Sequence, residues 1–223
     1  MKNILYISCS ARKYHENISQ HQSISRMLGA QFLAEFNRSG YEVEVTHRNL
    51  SEKQPAFIDD TFIAAAFAKG TLTKEQHLIL EESDEIIEEI CNADIIVISS
   101  PMYNYGMPAV LKAWFDMAIR INKTFSFDLA RGDKPLKPTL SGKALVLLAS
   151  WGEFGFRKGE SQYHLNHLSS HIEQLAPYLG AEKFYEIASE YQEFADHRHQ
   201  SAKQLAIDEV TKLASMLANR SCN

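Results

Sequence analysis

At 223 residues the chain exceeds the commonest domain size of roughly 100 to 150 residues but still fits one domain with insertions, and we expect residues 1–223 to form one. Hydrophobic residues make up 45% and charged residues 23%, an ordinary globular composition, and the longest apolar runs are strand-sized, which excludes a bilayer-crossing helix. The formal net charge of −5 gives no basic field for a nucleic acid backbone, so small-molecule partners are expected.

The chain opens on Met1–Ile7, and Ser8, Ser10, Arg12 and Lys13 end its apolar run before a signal peptide's core could form, which predicts a cytoplasmic location. Residues 3–8 read as a buried parallel strand. From Ser19 onward Ile24, Met27, Leu28, Phe32 and Phe36 recur at helical spacing, with Gly40 as the C-terminal cap. Tyr41 to Arg48 alternates as a second strand. Helices are then predicted from Thr61 to Lys69 and from Thr73, the latter with Leu78, Ile79, Ile86, Ile87 and Ile90 inward and its acidic run, Glu81 to Glu89, outward.

Residues 94–100 form a fully apolar third strand, followed by a helix from Pro108 to Ile121 whose apolar face carries Val110, Leu111, Trp114, Phe115 and Ala118. Residues 143–149 read as a fourth strand, 162–178 as a helix, 183–187 as a weaker strand and 202–218 as a final helix. Cys9, Cys91 and Cys222 form an odd, widely spaced set with no metal-ligand pairing, which suits a reducing compartment without cross-links. Five alternations of apolar strand and helix imply an α/β fold with a parallel sheet covered on both faces.

Such a sheet binds ligands outside the carboxyl ends of its strands, where strand order reverses. Three exits therefore matter: 8–23, 99–108 and 150–155. The first has hydroxyls at Ser8, Ser10, Ser19 and Ser23 beside a helix start whose free amides can hold a phosphate, and Ser10 and Ser23 are the chosen residues. The second, Pro101-Met102-Tyr103-Asn104-Tyr105-Gly106-Met107-Pro108, sets two aromatics and an amide in a turn. A buried turn of this make-up fits a flat heterocycle, stacked on by the rings and hydrogen-bonded by Asn104 and the backbone.

The stretch Pro-Met-Tyr-Asn-Tyr-Gly-Met-Pro-Ala-Val-Leu-Lys-Ala-Trp-Phe-Asp, 101–116, resembles the FMN-dependent NADH-azoreductase and NADH:quinone oxidoreductase family, which shares the Pro-Met-Tyr-Asn-aromatic turn and a helix reading Leu-Lys-x-aromatic-Phe/Ile-Asp. Phe125 stands where that family has a Thr-Phe pair. The resemblance implies a flavodoxin-like, doubly wound five-stranded sheet of order 2-1-3-4-5. It further implies that Ser10, His21, Gln22 and Ser23 bind the FMN phosphate, that Met102, Tyr103, Asn104 and Tyr105 line the ring, and that Ser150, Trp151, Gly152 and Glu153 close its pyrimidine end. Where family members often read Ser-x-Gly-Gly, this chain has Glu153.

The expected function is that of an FMN oxidoreductase taking a hydride from NADH or NADPH and reducing a quinone or azo compound, in ping-pong fashion, at a pocket walled by Phe125. No side chain is expected as acid or base. A homodimer is expected, joined through Trp114 and Phe115 on helix 108–121. A flavodoxin-type electron carrier is the alternative, as is a related quinone reductase using FAD; the excursion 116–142, long enough to roof a substrate pocket, speaks against the carrier. Cys9 does not make a tyrosine phosphatase, because the position six residues on is His15 rather than Arg. His164, His167 and His171, on one face of the helix 162–178, read as a solvated face rather than a metal site.

Overall fold

The structure is a computed structural model that describes residues 1–15, 22–40 and 42–219. The parallel strands are β1 (Lys2–Ser8), β2 (Val43–Asn49), β3 (Ile95–Pro101), β6 (Lys143–Ser150) and β7 (Ala181–Ser189). They lie in the order β2-β1-β3-β6-β7, the expected 2-1-3-4-5 once strands are counted within the main sheet. The remaining two, β4 (Phe125–Phe127) and β5 (Leu136–Pro138), pair antiparallel in the excursion, a hairpin that the sequence pattern does not predict.

Alternation along β1 assigns each face its core. Leu5 and Ile7 join one buried cluster with residues of α3 (Lys74–Asn92), α4 (Ala109–Ala118) and α5 (Ser169–Leu175). Ile4 and Tyr6 join the other, with α1 (Ile24–Arg38) and α6 (His197–Asn219). β3 and most of β1 and β6 are apolar because both faces are dry there, while the edge strands β2 and β7 carry polar residues; each fully buried Ile or Leu contributes about 1.5–3 kcal/mol. Tyr6 fits beneath α1 only because position 29 is glycine: a Cβ there would lie 2.2 Å from the Tyr6 hydroxyl.

Several boundaries differ from expectation. The first helix starts at Ile24, capped by the Ser23 hydroxyl on the Arg26 N–H, rather than at Ser19, which falls outside the described residues, as do His21, Tyr41 and Cys222. A capping box between Thr73 and Gln76 starts α3. On that helix Leu80 rather than Leu78 faces inward; Leu78, about 200° away around the axis, is 70% exposed. The acidic face of α3 is not merely solvated: Glu89 and Glu85 pair with buried Arg48 from β2, and Asp84 pairs with buried Arg120.

α2 is shorter than expected, Asp60–Ala66, with Asp59 as its cap. α4 ends at Ala118, where Thr124 accepts the Arg120 N–H and turns the chain into the excursion. Trp114 and Phe115 are fully buried and pack edge-to-face on each other inside the monomer, so they cannot supply the expected dimer contact.

The predicted helix 162–178 is broken into a turn at Tyr163–Leu165, α5 and a final turn at Ala176–Leu179. Buried Asn166 makes the break, donating to the Phe156 carbonyl and accepting the Ser169 N–H. His164, His167 and His171 therefore do not share one helix face.

Candidate flavin site at the strand exits

Strand register brings the carboxyl ends into one line. Ser8 stands opposite Asn49 on one side and Ser99 on the other, Pro101 opposite Ser150, and Ser150 opposite Ser189. Apart from Pro101, polar residues at these positions end the apolar run and open the sheet edge to a ligand.

At the first exit Ser10 and Ser23 are buried. The Ser10 hydroxyl oxygen accepts the Arg12 N–H at 3.2 Å, which leaves its own proton to donate. Ser23 caps the start of a 15-residue helix, whose first free amides add the positive end of a dipole. Gln22 is occupied by the loop itself, accepting from the His15 N–H and donating to the His15 carbonyl. Cys9, enclosed beside Ser99, has its thiol pushed up to about 12 by burial, so it holds no thiolate at neutral pH.

The second exit folds into a two-residue hairpin. Tyr103 and Gly106 exchange both backbone hydrogen bonds at 2.9 Å, and Asn104 and Tyr105 take φ of 48° and 64°. Positive φ at both central positions defines a type I′ turn, whose usual second residue is glycine. Tyr105 occupies that place at a steric cost, and the His167 N–H holds its carbonyl at 2.9 Å. The turn is not buried, contrary to the expectation from sequence: Tyr103 and Tyr105 are 40% and 42% exposed. Met102 is half-buried.

Three contacts join the exits into a continuous rim. The Ala11 N–H donates to the Tyr103 hydroxyl (3.3 Å), the Met102 N–H to the Ser150 carbonyl (3.0 Å), and the Tyr105 hydroxyl to the Glu153 carboxylate (3.4 Å). Ser150 is buried and the Trp151 indole is enclosed against Phe156, so these two residues present no side chain to the rim.

A segment after β7, absent from the sequence-derived site, shapes this third exit. The amides of Gln192, Glu193 and Tyr191 hold the carbonyls of Trp151, Gly152 and Glu153 at 3.2, 2.9 and 3.0 Å. A trans peptide points its N–H opposite its C=O, so the amides of Gly152, Glu153 and Phe154 face away from that clamp; none has a partner among the described residues. Glycine at 152 lets the Glu193 side chain lie close over it: a Cβ there would be 2.6 Å from that side chain, which would have to move aside.

These features fit a flavin nucleotide: buried hydroxyls and a helix start for a phosphate, exposed aromatics for a flat ring, and a set of unpaired amides for its carbonyls. Phe125 is not brought to the rim within one chain. It packs on Tyr178 and lines a cavity of about 270 Å³ with Phe62, Phe67, Phe115 and His171.

The fold and this site define a flavodoxin-like protein, and the family described as "Flavodoxin-like fold" matches residues 2–213. The chain belongs to that family, in the branch of the FMN-dependent NADH:quinone oxidoreductases. It is 49% identical to FMN-dependent NADH:quinone oxidoreductase 2 of Colwellia psychrerythraea, over 97% of this chain and 100% of that protein. The corresponding protein of Idiomarina loihiensis is 46% identical over 98% of this chain and 91% of its own length. In three dimensions an FMN-dependent NADH-azoreductase of Bacillus anthracis, solved with FMN, superposes with a TM-score of 0.82 at 21% identity, covering 98% of this chain and 100% of that one.

Proposed function

We infer that the protein is an FMN-dependent oxidoreductase that carries two electrons from NADH to quinones, with azo compounds as further acceptors. The observation that carries this is the rim itself: phosphate, ring and carbonyl partners stand in order along the strand exits of a chain nearly half identical to an NADH:quinone oxidoreductase. FMN, when bound, supplies the hydride and electron chemistry. The protein's part is to hold and polarise.

Ser10 and Ser23, with the first amides of α1, hold the phosphate. His21 is proposed on the resemblance alone. Tyr103, Asn104, Tyr105 and half-buried Met102 line one face of the ring and exclude water from it. The unpaired amides of Gly152, Glu153 and Phe154 stabilise negative charge at the pyrimidine carbonyls. Ser150 and Trp151 act through the main chain, and Glu153 orients Tyr105. No side chain here is assigned as acid or base.

With one ring face covered by the turn, donor and acceptor share the other and must alternate, which gives ping-pong kinetics. Initial rates with NADH and menadione should yield parallel double-reciprocal lines; intersecting lines would remove the shared place while leaving the flavin assignment standing.

Residues 1–223 act as one domain in the cytoplasm. Two copies associate through the exposed apolar residues Phe57, Ile58, Ile63 and Phe67 on and around α2, beside the cavity that holds Phe125. Each partner's Phe125 region then walls the other's ring. Sedimentation showing a fully active monomer at micromolar concentration would refute this arrangement.

A further inference from the structure

We propose that Arg26 is a positioning residue for the phosphate end of the site: it turns the first-exit main chain toward the ligand and supplies an uncompensated positive charge beneath it. This rests on the FMN reading above and names a residue that reading does not use.

Arg26 points from the first turn of α1 under the β1 exit. Its Nη1 donates to the Ser8 hydroxyl at 3.0 Å, and Nε and Nη2 donate to the Ser10 carbonyl at 3.3 and 2.9 Å. Nη2 also reaches Asn49 Oδ1 and Ser51 Oγ, both at 2.8 Å. One guanidinium thus ties the exits of β1 and β2 to the helix that carries Ser23.

Two consequences follow from geometry. The fork holds the Ser10 carbonyl inward, and since a trans peptide opposes its C=O and N–H, the Ala11 N–H must face the other way, where it meets the Tyr103 hydroxyl on the rim. Without the fork the carbonyl, an acceptor that repels phosphate, is free to rotate into the site. The second consequence is electrostatic. Every acceptor of Arg26 is a neutral oxygen, and no carboxylate pairs with it among the described residues.

The buried arginines Arg48 and Arg120 are treated differently from half-buried Arg26. Arg48 is met by Glu89 and Glu85, and Arg120 by Asp84. A sheltered cation left without a counter-ion favours an anion brought close to it, and a phosphate monoester carries between one and two negative charges near neutral pH. Arg12 and Lys13 on the same loop are exposed and screened.

The test compares FMN with riboflavin, which has the same ring and no phosphate. Flavin-free wild type, Arg26→Gln and Arg26→Lys are titrated with each by flavin fluorescence. Arg26→Gln should weaken FMN tenfold or more while riboflavin affinity stays within threefold, and Arg26→Lys, keeping charge but not the fork, should fall between it and wild type. Equal losses for both flavins, or an unchanged FMN:riboflavin ratio, would overturn the proposal. Should Arg26→Gln not fold, Arg26→Lys decides alone: a ratio lowered at least threefold with riboflavin unchanged supports the role, and any other result refutes it. Wild type that binds neither flavin would instead remove the FMN reading.

Discussion

The first and second strand exits leave adjacent strands, β1 and β3, and are built in opposite ways. At the first, Ser10 and Ser23 are buried and their surroundings are polar, tied from below by Arg26. At the second, Tyr103, Asn104 and Tyr105 stand exposed on a strained turn, with little around them but each other and the neighbouring exits. The difference matches what each is proposed to hold. A phosphate needs a fixed set of donors, which burial keeps in place before the ligand arrives. A ring needs apolar area that only the ligand covers, so the aromatics remain open until it binds.

The comparison can be broken by changing each end and reading FMN against riboflavin. Ser10→Ala with Ser23→Ala removes two hydrogen bonds of about 1 kcal/mol each, so FMN binding should weaken roughly 30-fold with riboflavin little affected. Loss of both flavins together would mean that the first exit acts on the whole site rather than on the phosphate.

At the other end, Asn104→Val puts a β-branched residue at φ 48° and should cost about 1–2 kcal/mol of turn stability. Both flavins should then weaken by a similar factor, on the order of tenfold. Asn104→Gly keeps the turn, and a smaller loss with it would isolate the contribution of the amide side chain.

A smaller effect concerns Glu186, on β7 behind the third exit. Burial raises its carboxyl above the ordinary range, against a hydrogen bond from Ser169. Its contribution to stability is therefore full below the unfolded value of about 4.3 and is lost as pH rises through the raised folded value. Glu186→Gln removes that loss, so its Tm relative to wild type should be higher at pH 7 than at pH 4; a difference independent of pH would contradict the assignment.

Much of this architecture is legible in the amino-acid sequence. Residues 3–8, 94–100 and 143–149 read as strands because both faces of the sheet are buried, leaving unbroken apolar runs. The turn 101–105 is legible through its resemblance, and the rings it exposes carry a local pattern. What stays hidden depends on contacts across the sheet. Arg26 meets Asn49 and Ser51 only because β2 lies beside β1. The clamp 191–193 meets 151–153 only because β7 lies beside β6. The break in 162–178 depends on Asn166 finding the Phe156 carbonyl, and the inward burial of Trp114 and Phe115 on how α4 packs. Spacing along the chain encodes none of these.

We propose that FMN occupies the strand exits of this chain. The most direct measurement is the visible absorbance spectrum of the purified protein, followed by release and identification of whatever absorbs, with FMN added if the protein emerges colourless. A flavin spectrum and stoichiometric release or uptake of FMN are expected. Release of FAD, or failure to take up FMN at all, would contradict it.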